Sequence, residues 1–171
     1  DRFIWMAYKP TETGRIRIYS DNFPSEGLID FDPKSIPAPK SAEVANSWAR
    51  FAYGVCHILE KRGFKLNTGI DAVLFGNIPG GGMSRSASLS INLLLSFLDA
   101  ANLQAANDFD IIDMAQAVEN EYIGSPCGNL DQIMIYFARK DMGTHYNPRT
   151  RKIDYIPLGA GGEALRIVVM D

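Results

Sequence analysis

The chain contains one run whose residue types point to phosphate chemistry, Gly80-Gly81-Gly82-Met83-Ser84-Arg85-Ser86-Ala87. Consecutive glycines let the backbone approach a ligand and aim N–H groups at it, and a helix starting directly behind them adds the positive end of its dipole. The same glycines also suit a tight turn with no ligand. Ser84 and Ser86 carry hydroxyls that serve either a phosphate or its Mg²⁺, or cap the helix. The spacing matches neither GxxxxGK[ST] nor GxGxxG, because Gly82 is followed by Met83 and Ser84. Two carboxylates downstream are candidates for acid, base or metal roles. Glu119 lies near Glu121 and Asp113, where a solvated helix face is the competing reading. Asp131 follows a Pro-Cys-Gly turn into an apolar helix, where a carboxylate also serves the helix dipole.

These side chains need a scaffold, and the polarity pattern supplies one. Ile70 to Phe75 reads as a buried strand running into the glycines, and Ser84 opens a helix with Leu89, Leu93, Leu94, Phe97 and Leu98 on one face. The chemistry therefore sits at a strand–loop–helix junction. Upstream, Phe3–Tyr8 and Arg15–Tyr19 flank a turn and predict a hairpin. Val44, Trp48, Phe51, Val55 and Leu59 predict one amphipathic helix ending near Gly63. Downstream, a helix is predicted from about Phe109 to Tyr122, ended by Gly124-Ser125-Pro126, and another from Asn129 to Arg139. Tyr155–Leu158 and Leu165–Met170 read as strands, and Gly159–Gly162 as a loop. The order predicts a single α+β unit.

Composition narrows the function classes. The 171 residues are 46% hydrophobic and 22% charged with net charge −3, an ordinary globular balance. No block of Lys or Arg marks a nucleic-acid or anionic-membrane footprint. No apolar run reaches the roughly 18 residues of a spanning helix, and no signal-peptide pattern opens the chain, so a cytoplasmic protein is expected. Cys56 and Cys127 are far apart and form no metal-ligand spacing. A start on Asp1-Arg2 beside a strand and an end on Val168-Val169-Met170-Asp171 lead us to expect a segment of a longer protein.

The stretch Ile78-Pro79-Gly80-Gly81-Gly82-Met83-Ser84-Arg85-Ser86-Ala87-Ser88-Leu89 resembles the second signature of GHMP kinases in its galactokinase form, P-L-G-G-G-L-S-S-S-A-S-L. Ala117-Val118-Glu119-Asn120-Glu121-Tyr122-Ile123-Gly124-Ser125-Pro126-Cys127-Gly128-Asn129-Leu130-Asp131-Gln132 is similar to the galactokinase stretch A-E-H-x-F-x-G-x-P-C-G-x-M-D-Q. Trp48-Ala49-Arg50-Phe51-Ala52-Tyr53-Gly54-Val55 resembles W-A-N-Y-V-K-G-V more weakly. The resemblance implies an α+β, two-layer ribosomal protein S5 domain 2-like lobe, the ATP-binding N-terminal domain of such a kinase, occupying residues 1–171 incompletely and without the C-terminal domain. It implies ATP and Mg²⁺ as cofactors, and a sugar of the galactose or galacturonate class as acceptor at its anomeric hydroxyl. By position it assigns Gly80, Gly81, Gly82, Met83 and Ser84 to the triphosphate, Ser86 and Glu119 to Mg²⁺, Asp131 to the sugar hydroxyl, and Trp48 to the adenine side. Phosphoryl transfer needs such parts: a metal on the phosphates, donors for developing charge and a carboxylate for the attacking hydroxyl. Trp48 also fits an apolar core stripe.

Two departures stand out. Arg85 replaces the family's middle serine, and the proline falls one place later, at Pro79. A guanidinium there either clamps nucleotide phosphate, as we expect, or points outward from the first helical turn. The family's G-E-H-T-D-Y signature and its third glycine-rich signature are both missing, so these residues by themselves are expected to be inactive. Another GHMP acceptor, such as mevalonate or homoserine, and a non-catalytic ligand-binding regulator are the rival readings.

Overall fold

The computed structural model describes residues 2–78 and 82–159. A four-stranded sheet forms from β1 (Ile4–Thr11), β2 (Ile16–Ser20), β3 (Leu28–Phe31) and β4 (Gly69–Gly76), in the order β1-β4-β2-β3. Strand alternation sends Ile16, Ile18, Ile70, Ala72 and Leu74 to one buried face. That face is covered by helices α2 (Arg50–Lys61) and α3 (Arg85–Ala100), giving a two-layer α+β core. The opposite face carries Trp5 packed on Phe75 and a two-pronged Arg17–Asp71 pair at 2.6 and 2.7 Å. Among the described residues no helix is long and apolar enough to cross a membrane.

The expected hairpin of β1 with β2 does not form. β4 inserts between them, antiparallel to β1 and parallel to β2. The most apolar strand takes a central position, and the β1–β2 turn crosses its end. Gly69 permits that crossing: a Cβ there would lie 2.5 Å from Thr11 Oγ1 and 2.6 Å from the Arg15 carbonyl oxygen. The predicted helix through Val44 and Leu59 also divides. Ala42–Ala45 forms a short α1, the chain turns at Ser47–Trp48, and α2 begins at Arg50. All five stripe residues are nevertheless buried.

The second half is helical. α4 (Asp108–Ala117) is capped by Asn107, whose side chain accepts from the Asp110 N–H at 3.2 Å. It continues into a π-helical turn, Val118–Ile123. After the Gly124–Asn129 loop comes α5 (Leu130–Phe137), and β5 (Met142–Asn147) pairs with β6 (Lys152–Pro157) in a separate hairpin. β3 and β5 were not predicted: the first has four residues, and the second, Met-Gly-Thr-His-Tyr-Asn, has too little apolar alternation to announce itself. The predicted strand Leu165–Met170 lies outside the described residues, as does most of the Gly159–Gly162 loop.

α2 and the π-helical turn meet backbone to side chain at Gly54. A Cβ at this position would stand 2.8 Å from Val118 Cγ1 and 3.2 Å from Tyr122 Cδ1. Gly54→Val is therefore expected to destabilise by about 1–3 kcal/mol through overpacking, read as a lowered denaturant midpoint with unchanged slope. A midpoint equal to that of the parent protein would show that the turn gives way without cost.

Candidate active site

β4 delivers the chain to the glycine run and α3 carries it away. Pro79, Gly80 and Gly81 lie outside the described residues. Gly82 resumes with φ +80°, half-buried Met83 follows, and Ser84 holds φ +54°, the left-handed region, immediately before α3. Ser84 makes no side-chain cap. The simple capping reading of that serine is thus not what its side chain does, and a left-handed non-glycine residue is a strained one.

In the first turn of α3, Ser86 lies beside the Glu119 carboxylate, and hydrogen bonding from it works to lower the Glu119 pKa. Glu119 is 7% exposed, in contrast to its neighbours: Glu121 pairs with Lys61 at 2.6 Å and Asp113 with Arg151 at 2.5 Å, both toward solvent. The π-helical turn separates these fates. The carbonyl of Glu119 accepts from the N–H groups of Gly124 and Ser125, both at 2.9 Å, and the wider turn brings Val118, Glu119 and Tyr122 inward together. Tyr122 fixes the turn from below, donating its hydroxyl to the Pro37 carbonyl at 2.7 Å while its own carbonyl accepts from Lys40 N–H at 2.8 Å. The solvated-face reading of Glu119 is corrected accordingly.

Burial raises the Glu119 carboxyl above the ordinary glutamate range. The Ser86 and Gln132 hydrogen bonds oppose that rise, and the nearby charge of Asp131 adds to it. Gln132 Nε2 donates to Glu119 Oε1 at 3.1 Å. The Pro126-Cys127-Gly128 turn is held by Asn120, which accepts from Cys127 N–H at 2.7 Å and donates to its carbonyl at 3.1 Å, and by Gln116, which donates to the same carbonyl at 2.9 Å. This bracing delivers α5 with Asp131 exposed in its first turn and Gln132 buried behind it. Burial first, then the charges of Glu119 and Asp131, push the Cys127 thiol up, away from reactivity.

A second feature adjoins α3. A cavity of about 300 Å³ is lined by Phe23, Glu26, Ser47, Trp48, Arg85 and Ser86 among others. Trp48 is 5% exposed, stacks on Phe23 with ring centroids 6.4 Å apart, and its Nε1–H is buried without a partner among the described residues. It is thus both part of the core and part of the cavity wall. Arg85 sets its guanidinium over the Phe23 ring, 5.8 Å from the centroid. Sequence reasoning missed Phe23, Glu26, Asn120 and Gln132. Only Gln132 left a signal, a polar residue directly before inward-facing Ile133 in an otherwise apolar helix.

The donor set fits one hard cation of the Mg²⁺ kind. Ser86 and Glu119 supply a hydroxyl and a carboxylate from neighbouring elements, and among the described residues no group of three or more His, Cys, Asp or Glu side chains offers a full cage. Mg²⁺ typically takes one or two protein ligands and completes its shell with water and phosphate oxygens.

A strand, a loop and a helix, with a buried acid presented by a π-helical turn, form this face of the two-layer fold, and a family match covers it. The model for the GHMP kinases N terminal domain matches residues 50–139, and the chain belongs to that family. Within it, the chain is 31% identical over 156 residues to a galactokinase of Staphylococcus carnosus, covering 90% of this chain and 39% of that protein. A Clostridium perfringens galactokinase is 33% identical over 153 residues, with 89% and 38% covered. The chain thus spans roughly two-fifths of these relatives. The structure of Lactococcus lactis galactokinase complexed with galactose superimposes with TM-score 0.78 at 27% identity, over 91% of this chain and 39% of that one. A mevalonate kinase shares the fold, with TM-score 0.64 at 17% identity over 77% of this chain and 41% of its own.

Proposed function

We propose that this chain supplies the nucleotide-binding and catalytic face of an ATP-dependent sugar kinase acting on the anomeric hydroxyl of galactose or a close relative such as galacturonate. The observation that carries this reading is the buried Glu119 carboxylate, accepting from Gln132 Nε2 at 3.1 Å, with Ser86 in the first turn of α3 and Asp131 in the first turn of α5 both acting on its charge. Ser86 and Glu119 would hold Mg²⁺, which when bound would offset the charge that develops on the transferring phosphate. The run Gly80–Ser84 would receive the triphosphate, the cavity walled by Trp48 and Phe23 the base, and Arg85 a phosphate from the cavity rim. Asp131 would orient the sugar hydroxyl and take its proton as the hydroxyl oxygen bonds to the γ-phosphorus and the bond to ADP breaks. The galactokinase names of the relatives and the galactose in the Lactococcus lactis structure favour a sugar over mevalonate or homoserine.

The complete protein, given ATP, Mg²⁺ and a panel of hexoses, uronic acids, mevalonate and homoserine, is expected to release ADP with galactose or galacturonate and to form a 1-phosphate visible by phosphorus NMR. In the same assay Arg85→Ser should raise the KM for ATP; an unchanged KM removes the phosphate role of Arg85. ADP formation only with mevalonate or homoserine would reassign the acceptor. No ADP with any acceptor would overturn the kinase reading in favour of a binding regulator.

A further inference from the structure

We infer that Gln132 is a positioning residue that fixes the Glu119 carboxylate in the orientation facing Ser86, and so links the acceptor carboxylate to the cation site through one helical turn. The inference rests on the proposed cation role of Ser86 and Glu119.

Gln132 is 1% exposed, and its amide is used on one side only. Nε2 donates to Glu119 Oε1 at 3.1 Å, with Cys127 Sγ 3.9 Å away, while Oε1 is buried with no partner among the described residues. A buried acceptor without a partner is a net cost to stability, and an apolar side chain of similar volume would remove it. Packing alone therefore does not account for an amide here. Flipping the amide would set its oxygen against the Glu119 oxygen, so the observed orientation is dictated by the carboxylate. With Ser86 on the same carboxylate from α3 and Gln132 from α5, Glu119 is held from two helices.

The neighbour in sequence supplies the coupling. Asp131 and Gln132 are consecutive at the start of α5, the first exposed and the second buried against Glu119. Asn120, adjacent to Glu119, grips the Cys127 backbone through two hydrogen bonds, so the π-helical turn and the start of α5 are tied at both Glu119–Gln132 and Asn120–Cys127. A shift of one carboxylate is transmitted to the other. Partners in the outer shell of a metal ligand commonly change metal affinity by about 10- to 100-fold when removed.

The test uses the complete protein and Mn²⁺ as probe, with free Mn²⁺ read by electron paramagnetic resonance in the presence of a non-hydrolysable β,γ-imido ATP analogue. Gln132→Leu is expected to weaken Mn²⁺ binding by about tenfold or more and to add no further loss in a Glu119→Gln background. In turnover it should raise the Mg²⁺ requirement, excess Mg²⁺ restoring kcat. Gln132→Asn, whose amide is too short to reach, should behave alike and serves if the leucine variant does not fold. Mn²⁺ affinity within twofold of the parent in both variants, where Glu119→Gln alone weakens it by about a hundredfold, would overturn the positioning role and leave the cation site standing. So would an equal further loss on adding Gln132→Leu to Glu119→Gln. Parent-like Mn²⁺ binding by Glu119→Gln would instead overturn the cation site itself, and this inference with it.

Discussion

In the complete protein, Asp131→Asn is expected to lower kcat by about 10²- to 10⁴-fold, the usual worth of a positioned proton acceptor, with ATP affinity retained. The substitution keeps shape and removes the charge and basicity, so it separates chemistry from packing. Asp131 is exposed in the first turn of α5, where a carboxylate contributes about 0.3–1 kcal/mol through the helix dipole. Any loss of folding stability is therefore small beside the kinetic effect. A second consequence is local. The Asp131 charge is among the causes that raise the Glu119 carboxyl. Removing it should move the Glu119 titration downward, a shift readable by carbon NMR of labelled glutamate. Near-parental kcat in Asp131→Asn would end the assignment, and a parental titration of Glu119 would show that the two carboxylates do not communicate.

The sequence made the strand–loop–helix junction legible because its signals are local. Ile70–Phe75 is a short, mostly apolar run, with Ile70, Ala72 and Leu74 buried and Val73 on the exposed face rather than buried throughout as expected, and Leu89, Leu93, Leu94, Phe97 and Leu98 are buried together along α3, so β4 and α3 follow from local pattern alone. What it hid depends on contacts between distant segments. The pairing of β1 with β4 joins residues 58 to 72 positions apart, from Thr11 with Gly69 to Ile4 with Gly76, and only Gly69 hints that the β1–β2 turn passes over a strand end. The Trp48 stripe has helical period even though the chain breaks at Ser47–Trp48, because burial rewards the same faces whether or not the helix is continuous. The competing solvated-face reading of Glu119, drawn from charge pattern, fails for a similar reason. A π-helical turn shifts which side of a helix faces inward, and periodicity at 3.6 residues carries no trace of that shift. Ser86, Glu119 and Asp131 were singled out from motif resemblance, and the fold brings them to one place by routes the motifs do not encode.

Glu119→Gln should show opposite effects on binding and on stability. On the binding side, losing the ionised oxygen that faces Ser86 is expected to weaken Mg²⁺-dependent nucleotide binding and turnover by at least about a hundredfold, since a bound cation stabilises transferring phosphate charge by several kcal/mol. On the stability side the sign reverses. Burial, the largest cause, raises the folded-state carboxyl above its unfolded value. The folded protein therefore binds the proton more readily than the unfolded chain does. The penalty of burying the ionised group is absent below the unfolded value of about 4.3, and it develops as pH rises through the folded value. Glutamine, neutral throughout, carries none of it. In the absence of divalent cation the variant should unfold at a higher temperature than the parent at pH 7–8, with the difference vanishing toward pH 4. Saturating Mg²⁺ and nucleotide should stabilise the parent selectively and narrow or invert the gap. A variant less stable than the parent at pH 7–8 without cation would mean that Glu119 is held for structure. A higher midpoint together with lost cation dependence would mark it as a residue kept for binding at a cost to the fold.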